Sequence, residues 1–127
     1  MMEFDLTEEE LINTIEKYYD TFLDGLVGAT KSMKLNDDHS DIELNFYIVL
    51  CDGYGETTEI LLSREELTRV LNYYLIATNY EVDHFKYLGG IRRVGYFTDE
   101  DTPILEGIRI YAVEKGKKLV KKPDLNY

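Results

Sequence analysis

From Ile42 to Leu50 the chain alternates without a break. Ile42, Leu44, Phe46, Ile48 and Leu50 fall on one side, and Glu43, Asn45, Tyr47 and Val49 on the other. A period of two is the mark of a strand with one buried face, so this segment demands neighbouring strands to complete a sheet. Both neighbours are close at hand. The polar run 36–41 turns the chain back toward a preceding arm at 29–35, and Asp52-Gly53-Tyr54-Gly55 turns it forward into a returning strand at 57–62. Sheets joined by such short turns are antiparallel.

Helices are announced by two capping boxes. In Thr7-Glu8-Glu9-Glu10 and again in Ser63-Arg64-Glu65-Glu66, a hydroxyl can accept from the amide three residues on while that residue's carboxylate reaches back. After the first, Leu11, Ile15, Tyr18, Phe22 and Leu26 keep a helical stripe over 8–25, with Gly25 and Gly28 as its stop. After the second, Leu67, Val70, Leu71, Tyr74 and Leu75 mark a stripe that fades by Thr78-Asn79. Three more strands are expected at 81–88, 91–98 and 104–114, with Gly89-Gly90 as a tight hairpin and 99–103 as a loop. The order α-β-β-α-β-β-β predicts an α+β fold: an antiparallel sheet of about five strands with two helices packed on one face. A chain of 127 residues makes one such domain, here 1–114, followed by a basic, partly mobile tail at 115–127.

Charge narrows the function. Residues 1–60 hold 15 Asp/Glu against Lys17, Lys31 and Lys34, a net of −12, whereas residues 61–127 hold 11 Lys/Arg against 10 acids. A chain of net charge −11 is repelled by phosphate backbones and anionic lipid, which argues against direct nucleic-acid or membrane binding. A single cysteine, Cys51, leaves no internal disulfide and no cysteine-built zinc site. The acidic start lacks a signal-type n-region, and no apolar run is long enough to span a bilayer, so a cytoplasmic protein is expected.

Positive signs of catalysis are lacking. Alternation sends Asp83 and His84 to opposite faces of their strand, which separates them as a dyad. Cys51 has no His at a recognisable spacing, and Gly53-Tyr54-Gly55 lacks the third glycine and following helix of a dinucleotide loop. Asn36, Asp38 and Ser40 alternate like the first ligands of a calcium loop, but Asp41 stands where glycine is needed and Tyr47 where glutamate is. No enzyme, metal or cofactor is predicted.

Two surfaces of opposite sign remain. Glu8, Glu9, Glu16, Asp20 and Asp24, with Asp37 and Asp38, form an acidic face suited to a basic, nucleic-acid-binding surface on another protein, such as a nuclease. In size, charge and composition alone the chain is similar to small acidic inhibitors such as phage anti-restriction and anti-CRISPR proteins and the immunity proteins of nuclease toxins. The alternative is a cradle of Arg92, Arg93 and Arg109 with Tyr96 and Tyr111, which would take a small anionic ligand such as a nucleotide signal in a homo-oligomer. Against that cradle stands the option that these arginines pair with the chain's own surplus carboxylates.

Overall fold

The structure is a computed structural model. It describes the backbone of residues 1–35, 42–94 and 100–116, and their side chains apart from residues 42 and 91–102. The chain runs β1 (Met2–Thr7), α1 (Glu8–Asp20), β2 (Leu26–Leu35), β3 (Ile42–Cys51), β4 (Thr57–Leu61), α2 (Arg64–Tyr74), β5 (Tyr80–Val94) and β6 (Glu100–Glu114). The α+β class and the antiparallel pairing are as expected. The single sheet is not: among the described residues six strands form two antiparallel sheets of three, ordered β1-β6-β5 and β2-β3-β4.

The first strand is absent from the sequence expectation. Phe4 and Leu6 alternate with Glu3 and Asp5, so the segment is half-buried, and its partner is β6, through Met2↔Ala112 to Thr7↔Gly107. Both capping boxes form. The Thr7 hydroxyl accepts from Glu10 N at 3.1 Å while Glu10 accepts from Thr7 N at 2.9 Å, and Ser63 and Glu66 do the same. Replacing Ser63 with alanine removes an accepting oxygen from the start of α2 and is expected to cost about 1 kcal/mol, measurable as a lower urea midpoint.

Helix α1 ends at Asp20, not at 25. The amides of Phe22 and Leu23 both turn back onto Tyr19 O, and Phe22, expected in the buried stripe, is 64% exposed. Gly25 instead marks the entry to β2. Its φ of 79° and the closeness of Cys51 O, 2.6 Å from where a Cβ would stand, both require glycine.

Gly89-Gly90 is not a hairpin either. β5 continues through both glycines, and the chain reverses only between Val94 and Glu100. The register slips between Leu88 and Gly89, where β6 inserts Glu106 as an extra residue, and Ile104 O would lie 2.2 Å from a Gly89 Cβ. Glycine here permits two backbones to approach across a bulge.

One core joins both sheets and both helices. Leu6, Val82, Phe85, Ile108, Ile110 and Ala112 from the first sheet meet Phe46 and Ile48 from the second. Leu11 and Ile15 of α1 and Leu67, Val70, Leu71 and Leu75 of α2 complete it. Helix α1 packs against β1, β2, β6 and α2, and so ties the two sheets together. The backbone from 117 onward lies outside the described residues, as do Asp37, Asp38, the rest of 36–41, and Tyr96.

Candidate functional surfaces

The arginines are not gathered. In the β5–β6 register Arg92 lies opposite Thr102 and Arg93 opposite Asp101, whereas Arg109 lies opposite Lys86. Seven residues of strand separate Thr102 from Arg109, about 23 Å at ~3.3 Å per residue. Arg109 and Tyr111 therefore stand at one end of the long hairpin and the paired arginines at the other.

Arg109 is also engaged. Its Nε donates to Asp5 Oδ1 at 2.8 Å and its terminal nitrogen to Asp5 Oδ2 at 3.0 Å, with Glu3 3.7 Å away. Both prongs of the fork thus meet a carboxylate of the chain itself. The hydrogen bonds from Arg109 hold the Asp5 carboxyl below the usual carboxylate range, and Asp5 in turn raises Arg109. A lowered carboxyl stabilises the fold above its ordinary value of 3.8 and loses that contribution as pH falls through the native value. Asp5→Asn is accordingly expected to lower the thermal midpoint slightly at neutral pH, with the gap to the parent closing in acid; thermal melts from pH 7 to 2 check this.

Beside this pair, His84 stacks on Tyr111, with ring centroids 4.5 Å apart and planes 14° from parallel. The register slips between Val82 and His84, so Asp83 is the extra residue of a bulge. The bulge cancels the alternation that would have parted Asp83 from His84, and His84 Nδ1 lies 2.7 Å from Asp83 Oδ2. The couple is exposed on an open sheet face. Among the described residues no hydroxyl or thiol hydrogen-bonds to His84, so this face offers an oriented imidazole without a nucleophile. Three surface cavities, two along the α1–α2 groove around Tyr73 and Ile76 and one at the start of α1, contain neither His nor Cys in their walls. No cluster of three or more His, Cys, Asp or Glu able to hold a metal ion occurs among the described residues, and no helix there is long and apolar enough to cross a membrane.

The acids divide into spent and available. Glu8 pairs with Lys31, and Glu16 accepts from Ala29 N at 3.0 Å, holding the start of β2 against α1. A Cβ added at Gly28 would stand 2.8 Å from Glu16 Oε2, so a larger residue there would push this carboxylate off the Ala29 amide. Both carboxylates are half-buried and serve the fold. Glu9, Asp20 and Asp24 are exposed, and no side-chain hydrogen bond or ion pair to described residues engages them.

The sheet adds residues that the helix pattern does not reveal. Cys51 N donates to Gly25 O at 2.8 Å, which ties the segment after α1 to the end of β3. That single bond brings Asp24, next to Gly25, alongside Asp52, next to Cys51. Asp52 Oδ1 accepts from the amides of Tyr54 and Glu56 at 2.8 and 3.0 Å, so its charge is fixed in the turn and still faces solvent. Asp24, Asp52 and Glu56 thus stand together at one end of the second sheet, with Asp20 four residues before Asp24 at the end of α1. Tyr54, 95% exposed, stands at the turn tip between Asp52 and Glu56, whereas the exposed Phe22 faces the α1–α2 groove, its ring 5.0 Å from Tyr18.

Comparison with known families, curated proteins and solved structures finds no match.

Proposed function

We propose that this chain is a non-enzymatic binding protein that docks its acidic end onto a basic, nucleic-acid-binding surface of another protein. The observation that carries the reading is the Gly25–Cys51 junction, which brings Asp24 beside Asp52 and Glu56 and the exposed Tyr54, with Asp20 four residues before Asp24. Fixed carboxylates steer a basic partner, and an exposed aromatic gives such an encounter something to bury. Asp37 and Asp38 lie outside the described residues, and the strand end that they join, Leu35↔Ile42, is the one away from this junction. The nucleotide-cradle alternative has less support, because Arg109 is neutralised by Asp5 and lies far along β6 from Arg92 and Arg93.

Affinity capture from the source cells, at low and at high salt, tests the reading. The supporting result is a basic protein that is held at low salt, is released at high salt, and gives up its DNA or RNA when this chain is added. Retention indifferent to salt, or a captured protein that keeps its nucleic acid, overturns it.

A further inference from the structure

The edges of the two sheets are not treated alike. On β5, Val82 N donates to Asn72 Oδ1 and Phe85 O accepts from Arg64, so side chains of α2 occupy that edge. On β2, Glu16 takes the Ala29 amide, Lys31 and Lys34 add charge, and a bulge interrupts the start of the strand. Bulges, lysines and covering side chains are the usual means of keeping an edge from pairing with another chain.

β4 has none of these. Its register with β3 runs without a slip from Tyr47↔Leu61 to Cys51↔Thr57, and all five of its residues are exposed. No Lys, Arg or Pro occurs anywhere from residue 50 to 63. The bonds Leu62 N to Phe46 O and Asp52 N to Glu56 O fix which residues face β3. Antiparallel pairing alternates bonded and non-bonded pairs, so Thr58 and Ile60 bond inward. Thr57, Glu59 and Leu61 then direct their N–H and C=O groups outward, where no described residue meets them.

We infer that β4 accepts an added strand from the partner: an extended segment in which lysine or arginine alternates with apolar residues. This rests on the acidic-surface reading and specifies its mode. The backbone of Thr57, Glu59 and Leu61 supplies the ladder, while Ile60, 39% exposed, offers an apolar contact on the face opposite Glu59, as an alternating segment requires. Glu59 meets the basic side chains of such a segment on one face, and Glu56 and Asp52 at the start of the strand add to the attracting field. A second copy of this chain fits poorly, since each carries −11 and would bring its own Glu56 and Glu59 to the seam.

The test uses the full chain and two blocked octapeptides: alternating lysine and valine, and the same peptide with alternate backbone amides N-methylated. Amide hydrogen exchange is followed residue by residue. The lysine–valine peptide is expected to slow exchange at Thr57, Glu59 and Leu61 by about tenfold or more, while the already bonded Thr58 and Ile60 change less. The methylated peptide should not. Glu59→Pro removes only an outward amide, so the fold survives and the protection is lost, whereas Glu59→Gln keeps the protection at weaker affinity. If both peptides bind alike, sensitive to salt, with the edge amides unchanged, strand addition is overturned and the acidic reading stands. If neither binds at low salt the inference also fails, and the acidic reading is then judged by charge reversal at Asp20, Asp24 and Glu56. If the same amides become protected without peptide as protein concentration rises, with a dimer in sedimentation, the occupant is a second copy and the inference is wrong.

Discussion

Gly107→Ala is expected to lower the stability of the domain by about 3 kcal/mol or more, which corresponds to roughly 2 M in urea midpoint for a domain of this size. Gly107 lies on the central strand β6, opposite Thr7 on β1 and Leu88 on β5. A methyl added there would stand 2.0 Å from Leu6 O and 3.1 Å from its carbonyl carbon. Those atoms are backbone, and Leu6 is itself a core residue, so no side-chain rotation relieves the overlap. Either β1 moves off β6 or the central strand bends, and both open the core. Gly89→Ala should behave similarly against Ile104 O, whereas Gly90, with nothing within 4 Å of a Cβ and no positive φ, should accept alanine with no loss or a gain of about 0.5 kcal/mol. Two neighbouring glycines with opposite outcomes separate close approach from turn formation. Equal effects at 89 and 90 would sink the account of β5 as one continuous strand.

That contrast also shows what the sequence made legible. Helix starts were readable because a capping box is closed within four residues, and Thr7–Glu10 and Ser63–Glu66 need no distant partner. The β3–β4 hairpin was readable for the same reason, since Asp52 organises its own turn. The split into two sheets was not, because it depends on β1 crossing the length of the chain to β6, a pairing with no local signal. The six-residue alternation of Phe4 and Leu6 with Glu3 and Asp5 was present but short, and its acidic half disguised it. Gly89-Gly90 had the composition of a turn while serving a bulge. At the candidate surfaces the sequence identified carboxylates but could not distribute them. Spending Glu16 on Ala29 N and Asp5 on Arg109 requires knowing which strand passes each helix and sheet edge. Asp52 and Glu56 already counted toward the acidic field in the sequence, but only the Gly25–Cys51 bond places them beside Asp24.

Reversing the charges of Asp20, Asp24 and Glu56 to lysine together is expected to slow association with the basic partner by about 10- to 100-fold at low salt, leaving dissociation much less changed. None of the three makes a side-chain bond to described residues, so the fold loses nothing but charge, and the net moves from −11 to −5. Asp52 is left in place because two turn amides depend on it. The effect should shrink as salt rises, since exposed charges are screened beyond about 8 Å at physiological ionic strength. Reversing Glu8 and Glu16 instead makes the informative control. Glu8 is bound to Lys31 and Glu16 holds β2, so those changes should lower the melting temperature while altering the association rate less per charge. Rate constants measured across a salt series for the two variants decide between a face that steers and a chain that is merely acidic. If both reversals slow association equally per unit of charge, only the net charge matters and the cluster at the Gly25–Cys51 junction has no special standing. A steep loss confined to Asp20, Asp24 and Glu56 would instead tie recognition to the place where the exit of α1 meets the end of β3. Tyr54→Ala should then speed dissociation, because the encounter is electrostatic while the residence depends on what is buried.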